Sequence, residues 1–344
     1  MGLRGPPDAL RPLPDAGASR FEPRLPGRAV KPQQMGLYRR SLVLAAVSPR
    51  QNVLGAIHMM IGLFLFSIME VLIKWQVADY PVHQLVFFRA SFGLIPCLVM
   101  VWQAGGLVAL KTRRPGEHFL RGIVGLGAMW LVFRAYETMK LADVGAILFA
   151  APLFLTALAG PALGETVGLR RWCAVLVGFA GVLLIVKPGS TALQPAAFGV
   201  LTAAALFSVA MVLMRRLGTT ESPGAITFFF SIFALAASLV MIAMFGWVTP
   251  TPGDFVALAM IGLIGGSAQL FVTQSLRLGE AAVVSPLRYS SVIWFVTFGY
   301  IFWGELPDMM VVTGLVIVIC SGLYILHRET RLAIIERRRD LPNR

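Results

Sequence analysis

Charge is scarce in this chain, and negative charge is scarcer still. Only 14% of its 344 residues are charged, 17 acidic beside 30 basic, where an ordinary globular domain carries roughly a quarter. With 57% of residues apolar, too few charges remain to clothe a water-facing surface, and the surplus apolar area must face lipid. Cysteine is nearly missing. Cys97, Cys173 and Cys320 lie far apart within apolar stretches and form no CxxC pair, which argues against a disulfide framework or a metal site and leaves them as small packing residues. The four histidines, His58, His83, His118 and His327, are scattered, and HExxH, GxSxG, phosphate-loop and Asp-rich strings are absent. An enzyme, a bound metal and a cofactor are therefore not expected, and without an ATP site any transport runs on a gradient or is facilitative. Alternating ten-residue segments of the outer-membrane barrel kind are also lacking, so helices must satisfy the backbone in lipid.

What the chain does contain is a succession of apolar runs, each near the roughly 20 residues that cross a bilayer core about 30 Å thick. Ten are expected, at 53–73, 84–103, 119–139, 144–163, 172–186, 196–214, 225–248, 254–276, 281–303 and 309–326. The fold class is thus all-α, integral to the membrane. A net charge of +13 would suggest nucleic acid in a soluble protein, but the basic residues sit between the runs and in the tails. With the N-terminus cytoplasmic, the inner connections carry Lys111, Arg113, Arg114, Arg121, Arg170, Arg171, Arg215, Arg216 and Arg277, and the outer ones only Lys74, Lys140 and Lys187. Both tails then fall inside, and the positive-inside rule accounts for the basic excess without nucleic acid.

Residues 1–50, rich in Pro, Arg, Gly and Ala, read as a disordered basic tail; Met35 offers an alternative start, and the Arg content leaves a transit peptide open. Residues 329–344 form a second basic tail. Between them lies an internal repeat. Glu137-Thr138-Met139-Lys140-Leu141-Ala142-Asp143-Val144-Gly145-Ala146 corresponds in character to Gln274-Ser275-Leu276-Arg277-Leu278-Gly279-Glu280-Ala281-Ala282-Val283. Each copy continues through a proline, Pro152 or Pro286, to Gly164-Glu165 or Gly304-Glu305. The repeat units are expected at 51–187 and 188–328, five helices each. Five is odd, so the second unit enters the membrane in the opposite sense, which is transporter architecture.

These features together resemble the drug/metabolite transporter superfamily, in particular its EamA-type members with ten helices in two repeats. The strings that carry the resemblance are Arg134-Ala135-Tyr136-Glu137, Pro152-Leu153-Phe154 with Gly164-Glu165, Ser285-Pro286-Leu287-Arg288-Tyr289-Ser290-Ser291, Gly304-Glu305-Leu306-Pro307-Asp308, and Ser321-Gly322-Leu323-Tyr324-Ile325-Leu326-His327-Arg328-Glu329. The resemblance spans nearly everything but the tails. It implies a central cavity lined by the first, third, fourth, sixth, eighth and ninth helices, and alternating access across the bacterial inner membrane. The pattern looks like members that take up riboflavin or S-adenosylmethionine, while others of similar appearance export amino acids or metallophores.

Charged side chains at bilayer depth are costly unless paired or facing water, so they are the candidates for the solute site. Glu70 and Lys74, four apart on the first helix, are spaced for a helical ion pair, with Lys74 snorkelling as the bland reading. Arg89 follows Phe87 and Phe88 near the outer interface, where structural and functional roles are both open. Gly127, Trp130, Arg134 and Glu137 share a face by their spacing, read as an aromatic-rich cavity wall with helix packing around an internal ion pair as the alternative. Arg288 has no acid nearby in its own helix and follows the helix-breaking Pro286. It either pairs with an acid from another helix or, the preferred reading, receives an anionic or electron-rich group of the solute, with Tyr289 and Ser291 as neighbouring donors. Gly262, Gly266, Gln269 and Thr273 form a seam that packs and lines the cavity. Glu165 and Glu305 close their helices and are assigned a structural job, Pro152 and Pro286 a hinge role. Glu70 or Glu137 would be the carboxylate to test for proton coupling.

The expectation is a secondary transporter of a small organic metabolite. A riboflavin-like solute comes first, because several aromatics surround the arginines, and an adenosyl or amino-acid-like one second. Its partners are that solute and the lipid bilayer, and a homodimer remains open to it. A lipid-modifying intramembrane enzyme and a non-transporting scaffold are the alternatives from other classes.

Overall fold

A computed structural model describes residues 49–339 apart from 164–167, 188–194, 280 and 285; side chains at 49, 159–163, 215, 281–282 and 329–339 also fall outside it. The described residues are helical throughout, with no strand among them. In chain order they form α1 (Pro49–Gln76), α2 (Val82–Gln103), a 3-10 turn (Gly106–Leu110), α3 (Pro115–Ala135), α4 (Leu141–Leu148), α5 (Ala151–Leu163), α6 (Leu169–Val186), α7 (Pro195–Leu217), α8 (Pro223–Phe245) and α9 (Pro252–Leu278). There follow α10 (Ala281–Val284), a second 3-10 turn (Pro286–Ser290), α11 (Ser291–Trp303) and α12 (Met309–Arg339).

Local chemistry sets the ends. Pro115, Pro195, Pro223 and Pro252 each occupy the first position of a helix, where a fixed φ helps and a missing N–H costs nothing. The Ser222 and Thr251 hydroxyls accept from the amides of Ala225 (3.1 Å) and Asp254 (3.2 Å), capping α8 and α9. Gly304 closes α11 at φ +65°, a left-handed turn that a side chain would strain.

Eight helical stretches are long and apolar enough to cross a membrane, including the composite 141–158. The two remaining expected spans fall outside that set. The third, α3, carries His118, Arg121 and Arg134. The ninth is broken into α10, the 3-10 turn and α11, with Pro286 at the start of the turn. The fourth span is broken as well, between α4 and α5, just before Pro152.

Glycines let the helices close on one another. In α9, Gly262 lies against the Phe88 carbonyl and the Gly93 amide of α2, and Gly266 against Gly93 and Pro96, where a Cβ would sit 2.6–2.9 Å from backbone atoms. The other side of α9 meets Gly55 and Gly62 of α1. Gly181 of α6 and Gly314 of α12 meet in the same way. Further pairings join α3 to α7 and α2 to α8. Outward faces carry large exposed apolar side chains, such as Leu239, Val240, Met244 and Phe245 of α8, as a lipid-facing surface requires. Cys173 and Cys320 belong to that outer surface. Only Cys97 is buried, which corrects the expectation of three packing cysteines.

The broken spans organise the interior. At the end of the bundle where α1 finishes, α4 packs on α11, with Gly145 beneath the Phe295 ring. Past the breaks the continuations separate: α5 turns to α7 and α6, while α10 and the second 3-10 turn lie along α1. The Phe149 and Tyr289 rings, 5.3 Å apart, mark the point of divergence.

Candidate functional site

Arg288 sits in the 3-10 turn between α10 and α11. Protein surrounds it, yet its side chain stays exposed. No carboxylate among the described residues lies within ion-pair distance of it, so the first of its two expected fates, an acid from another helix, is not found there. The local hydroxyls are committed elsewhere. Ser291 Oγ donates to the Arg288 carbonyl (2.9 Å) and Ser290 Oγ to the Leu287 carbonyl (2.6 Å), both stabilising the turn. The Tyr289 ring lies on Phe149 and its hydroxyl reaches the backbone at Gly322 of α12. Of the two neighbouring donors expected beside the guanidinium, Ser291 is thus spent on the turn's own backbone.

The Ser290 hydroxyl touches the Met60 sulfur at 3.3 Å, which registers this turn against α1. About 15 Å farther along α1, at 1.5 Å per residue, a second polar group gathers around Glu70. Its carboxylate faces the Tyr136 hydroxyl, just past the end of α3, and the Arg89 guanidinium of α2. Glu70 Oε2 and the Tyr136 hydroxyl are both buried without a hydrogen-bond partner. Arg89 turns inward onto α9, where a Cβ on Gly265 would lie 3.0 Å from its Nη1, so Gly265 makes room for the guanidinium. Tyr136 was missed as a candidate; its only signal in the sequence is a hydroxyl-bearing aromatic at the end of an apolar run.

The expected Glu70–Lys74 pair does not form. Lys74 Nζ donates to both oxygens of Glu305, 2.7 and 2.6 Å away, and lies 4.8 Å from the Trp303 ring centre. Neighbouring positions on a helix are worth little to an ion pair, and Glu305 offers Lys74 both oxygens at once. Glu305 also accepts from the Leu141 amide at 3.2 Å, at the start of α4.

Arg134 lies at the end of its helix. Because α3 ends at Ala135, Arg134 belongs to the last turn, 67% exposed, and binds Glu137 at 2.6 Å. The internal ion pair of the alternative reading is thus present. Trp130, half-buried, packs against the core from the same helix. Gln269 of α9 donates to Thr273 at 3.4 Å, one turn along, on the helix whose Gly262 and Gly266 pack on α2. Pro152 and Pro286 stand at the two span breaks, and Glu165 lies outside the described residues.

No group of three or more His, Cys, Asp or Glu side chains among the described residues could hold a metal ion.

Comparison with known proteins agrees with this architecture. The EamA-like transporter family matches the chain twice, at residues 53–187 and 194–326. The S-adenosylmethionine uptake transporter of Rickettsia prowazekii is 29% identical over 279 residues, covering 80% of this chain and 94% of that protein. The pseudopaline exporter of Pseudomonas aeruginosa is 29% identical over 274 residues, covering 78% and 95%. The riboflavin transporter of Rhizobium johnstonii is 25% identical over 288 residues, covering 83% and 95%. A protein crystal structure at 18% identity aligns with a TM-score of 0.59 over 82% of this chain and 99% of its own, a likeness of fold.

Proposed function

The chain belongs to the EamA-like transporter family, and from that premise we propose that it is an alternating-access carrier built from ten spans in two inverted five-helix repeats. Both termini are cytoplasmic and the membrane is the bacterial inner membrane. Three things support this reading: the family matches twice, each repeat contains one broken span, and the basic residues concentrate on one side.

The solute is a small organic metabolite bound between Arg288 and the Glu70–Arg89–Tyr136 cluster, with Gln269 and Trp130 on the surrounding helices. Arg288 is the observation that carries this. An arginine left without a carboxylate among the described residues at bilayer depth needs an anionic or electron-rich partner, and the solute supplies it. Among the compounds that relatives are named for, S-adenosylmethionine meets that need with its carboxylate. Riboflavin, the second reading, offers ring carbonyls and an aromatic system to the Phe and Trp side chains around the site.

Ligand-induced stabilisation of the detergent-purified protein tests both. S-adenosylmethionine or riboflavin at about 100 times its dissociation constant should add about 2.7 kcal/mol of stability. Arg288→Ala should abolish that shift while still inserting and purifying as a folded protein. An unchanged shift in Arg288→Ala would remove Arg288 from the site.

A further inference from the structure

The sequence places three lysines in the outer connections, Lys74, Lys140 and Lys187, one from each outer corner of the first repeat. All three converge on the same five residues, 304–308, between α11 and α12 of the second. Lys74 binds both oxygens of Glu305; Lys140 Nζ donates to the Leu306 carbonyl at 2.9 Å; and Lys187 Nζ donates to Asp308. The Leu141 amide adds a fourth tie to Glu305. Gly304, in its left-handed turn, reverses the chain so that the segment lies across these partners.

We propose that residues 304–308 are the outer gate of the transport cycle, and that Lys74, Lys140 and Lys187 latch it shut in the state the structure adopts. The proposal rests on the alternating-access reading and adds to it where the closure lies and which groups hold it. Closure at this end fits the packing of α4 on α11 there and the divergence of their continuations beyond Phe149 and Tyr289, where Arg288 is exposed.

Ion pairs suit a latch because the attraction between the charges and the cost of stripping their water nearly cancel. When the gate opens, outer water rehydrates Lys74 and Glu305, so opening is not prohibitively uphill. An apolar contact of the same area would hold the gate more firmly and release it less readily.

Labelling tests this without knowledge of the solute. In a chain with Cys97, Cys173 and Cys320 replaced by alanine, Gln269→Cys serves as reporter, and a membrane-impermeant thiosulfonate is applied from outside to right-side-out vesicles. The intact latch should label slowly. Glu305→Gln should label about fivefold faster or more, and the exchanged pair Lys74→Glu with Glu305→Lys should restore the slow rate. Should Glu305→Gln fail to fold, Asp308→Asn, at an exposed tie, serves instead and should also accelerate labelling. Equal outside rates for the latched and unlatched forms would overturn the gate, whatever the ligand-stabilisation experiment finds. In inverted vesicles the reporter should label in every variant; if it labelled from neither side, the cavity reading would fail and the gate with it.

Discussion

Lys74 and Glu305 are 231 positions apart, yet the lysine ammonium sits 2.7 and 2.6 Å from the two carboxylate oxygens, with side-chain exposures of only 7% and 20%. Removing one partner of so enclosed a pair strands the other. Lys74→Met is therefore expected to lower stability by about 2–3 kcal/mol, between the values for exposed and fully buried pairs. Replacing both together, Lys74→Met with Glu305→Leu, should recover most of it. A double-mutant cycle by thermal denaturation in detergent measures this; a double variant as unstable as the sum of the singles would mean that the two side chains do not interact.

The α2–α9 seam gives a sharper steric test. A Cβ on Gly262 would lie 2.6 Å from the Phe88 carbonyl oxygen and 2.9 Å from the Gly93 amide nitrogen, backbone atoms that cannot rotate aside. Gly262→Ala should cost about 1–3 kcal/mol or prevent assembly. Gly253→Ala, in the first turn of the same helix with nothing within 4 Å, should be neutral or slightly stabilising. Equal melting temperatures for the two variants would count against the close approach of the helices.

The two carboxylates first considered for proton coupling now separate. Glu137 is held by Arg134 at 2.6 Å, whereas Glu70 is enclosed, with Oε2 unpartnered and the Tyr136 hydroxyl facing it. If transport is coupled to protons, Glu70→Gln should abolish the response of uptake to an imposed pH gradient, and Glu137→Gln should leave that response intact. Tyr136→Phe removes the hydroxyl that faces the Glu70 carboxylate and should change stability by no more than about 1 kcal/mol. Uptake in proteoliposomes with and without the gradient, and a melting curve, check these outcomes.

What the sequence made legible was whatever depends on neighbours in the chain. Apolar runs of bilayer length announced eight helical stretches able to cross a membrane, and Pro152 and Pro286 stand at the two breaks. The Arg134–Glu137 pair, three apart, was legible too, but the partners of Lys74, Lys140 and Lys187 were not, because they are tertiary. Spacing offered Glu70 to Lys74 as an i, i+4 pair, worth about 0.3–0.5 kcal/mol, and a residue from the other repeat displaced it. Tyr136, though part of a string that carries the resemblance, was not a site candidate because a lone tyrosine in an apolar run more often packs than binds.

The outermost tie should respond to salt before it responds to pH. Lys187 and Asp308 retain 26% and 49% exposure, so added salt screens their attraction, whereas the enclosed Lys74–Glu305 pair is shielded from it. The hydrogen bond from Lys187 holds the Asp308 carboxyl below the usual carboxylate range. A carboxylate whose pKa is depressed in the folded state contributes stability above its unfolded value, roughly 3.9, and loses that contribution only as pH falls through the lower folded value. Between pH 8 and 5 this tie should therefore hold at constant strength, while raising the salt from about 0.05 to 0.5 M at pH 7 should weaken it, the screening length falling well below 10 Å. The outside labelling rate of the Gln269→Cys reporter, divided at each pH by its rate in inverted vesicles so that the thiol's own titration cancels, measures both. It should rise modestly with salt, stay flat over that pH range as far as Asp308 is concerned, and lose its salt response in Asp308→Asn. A salt response undiminished in Asp308→Asn would place the screened contact elsewhere in the outer connections.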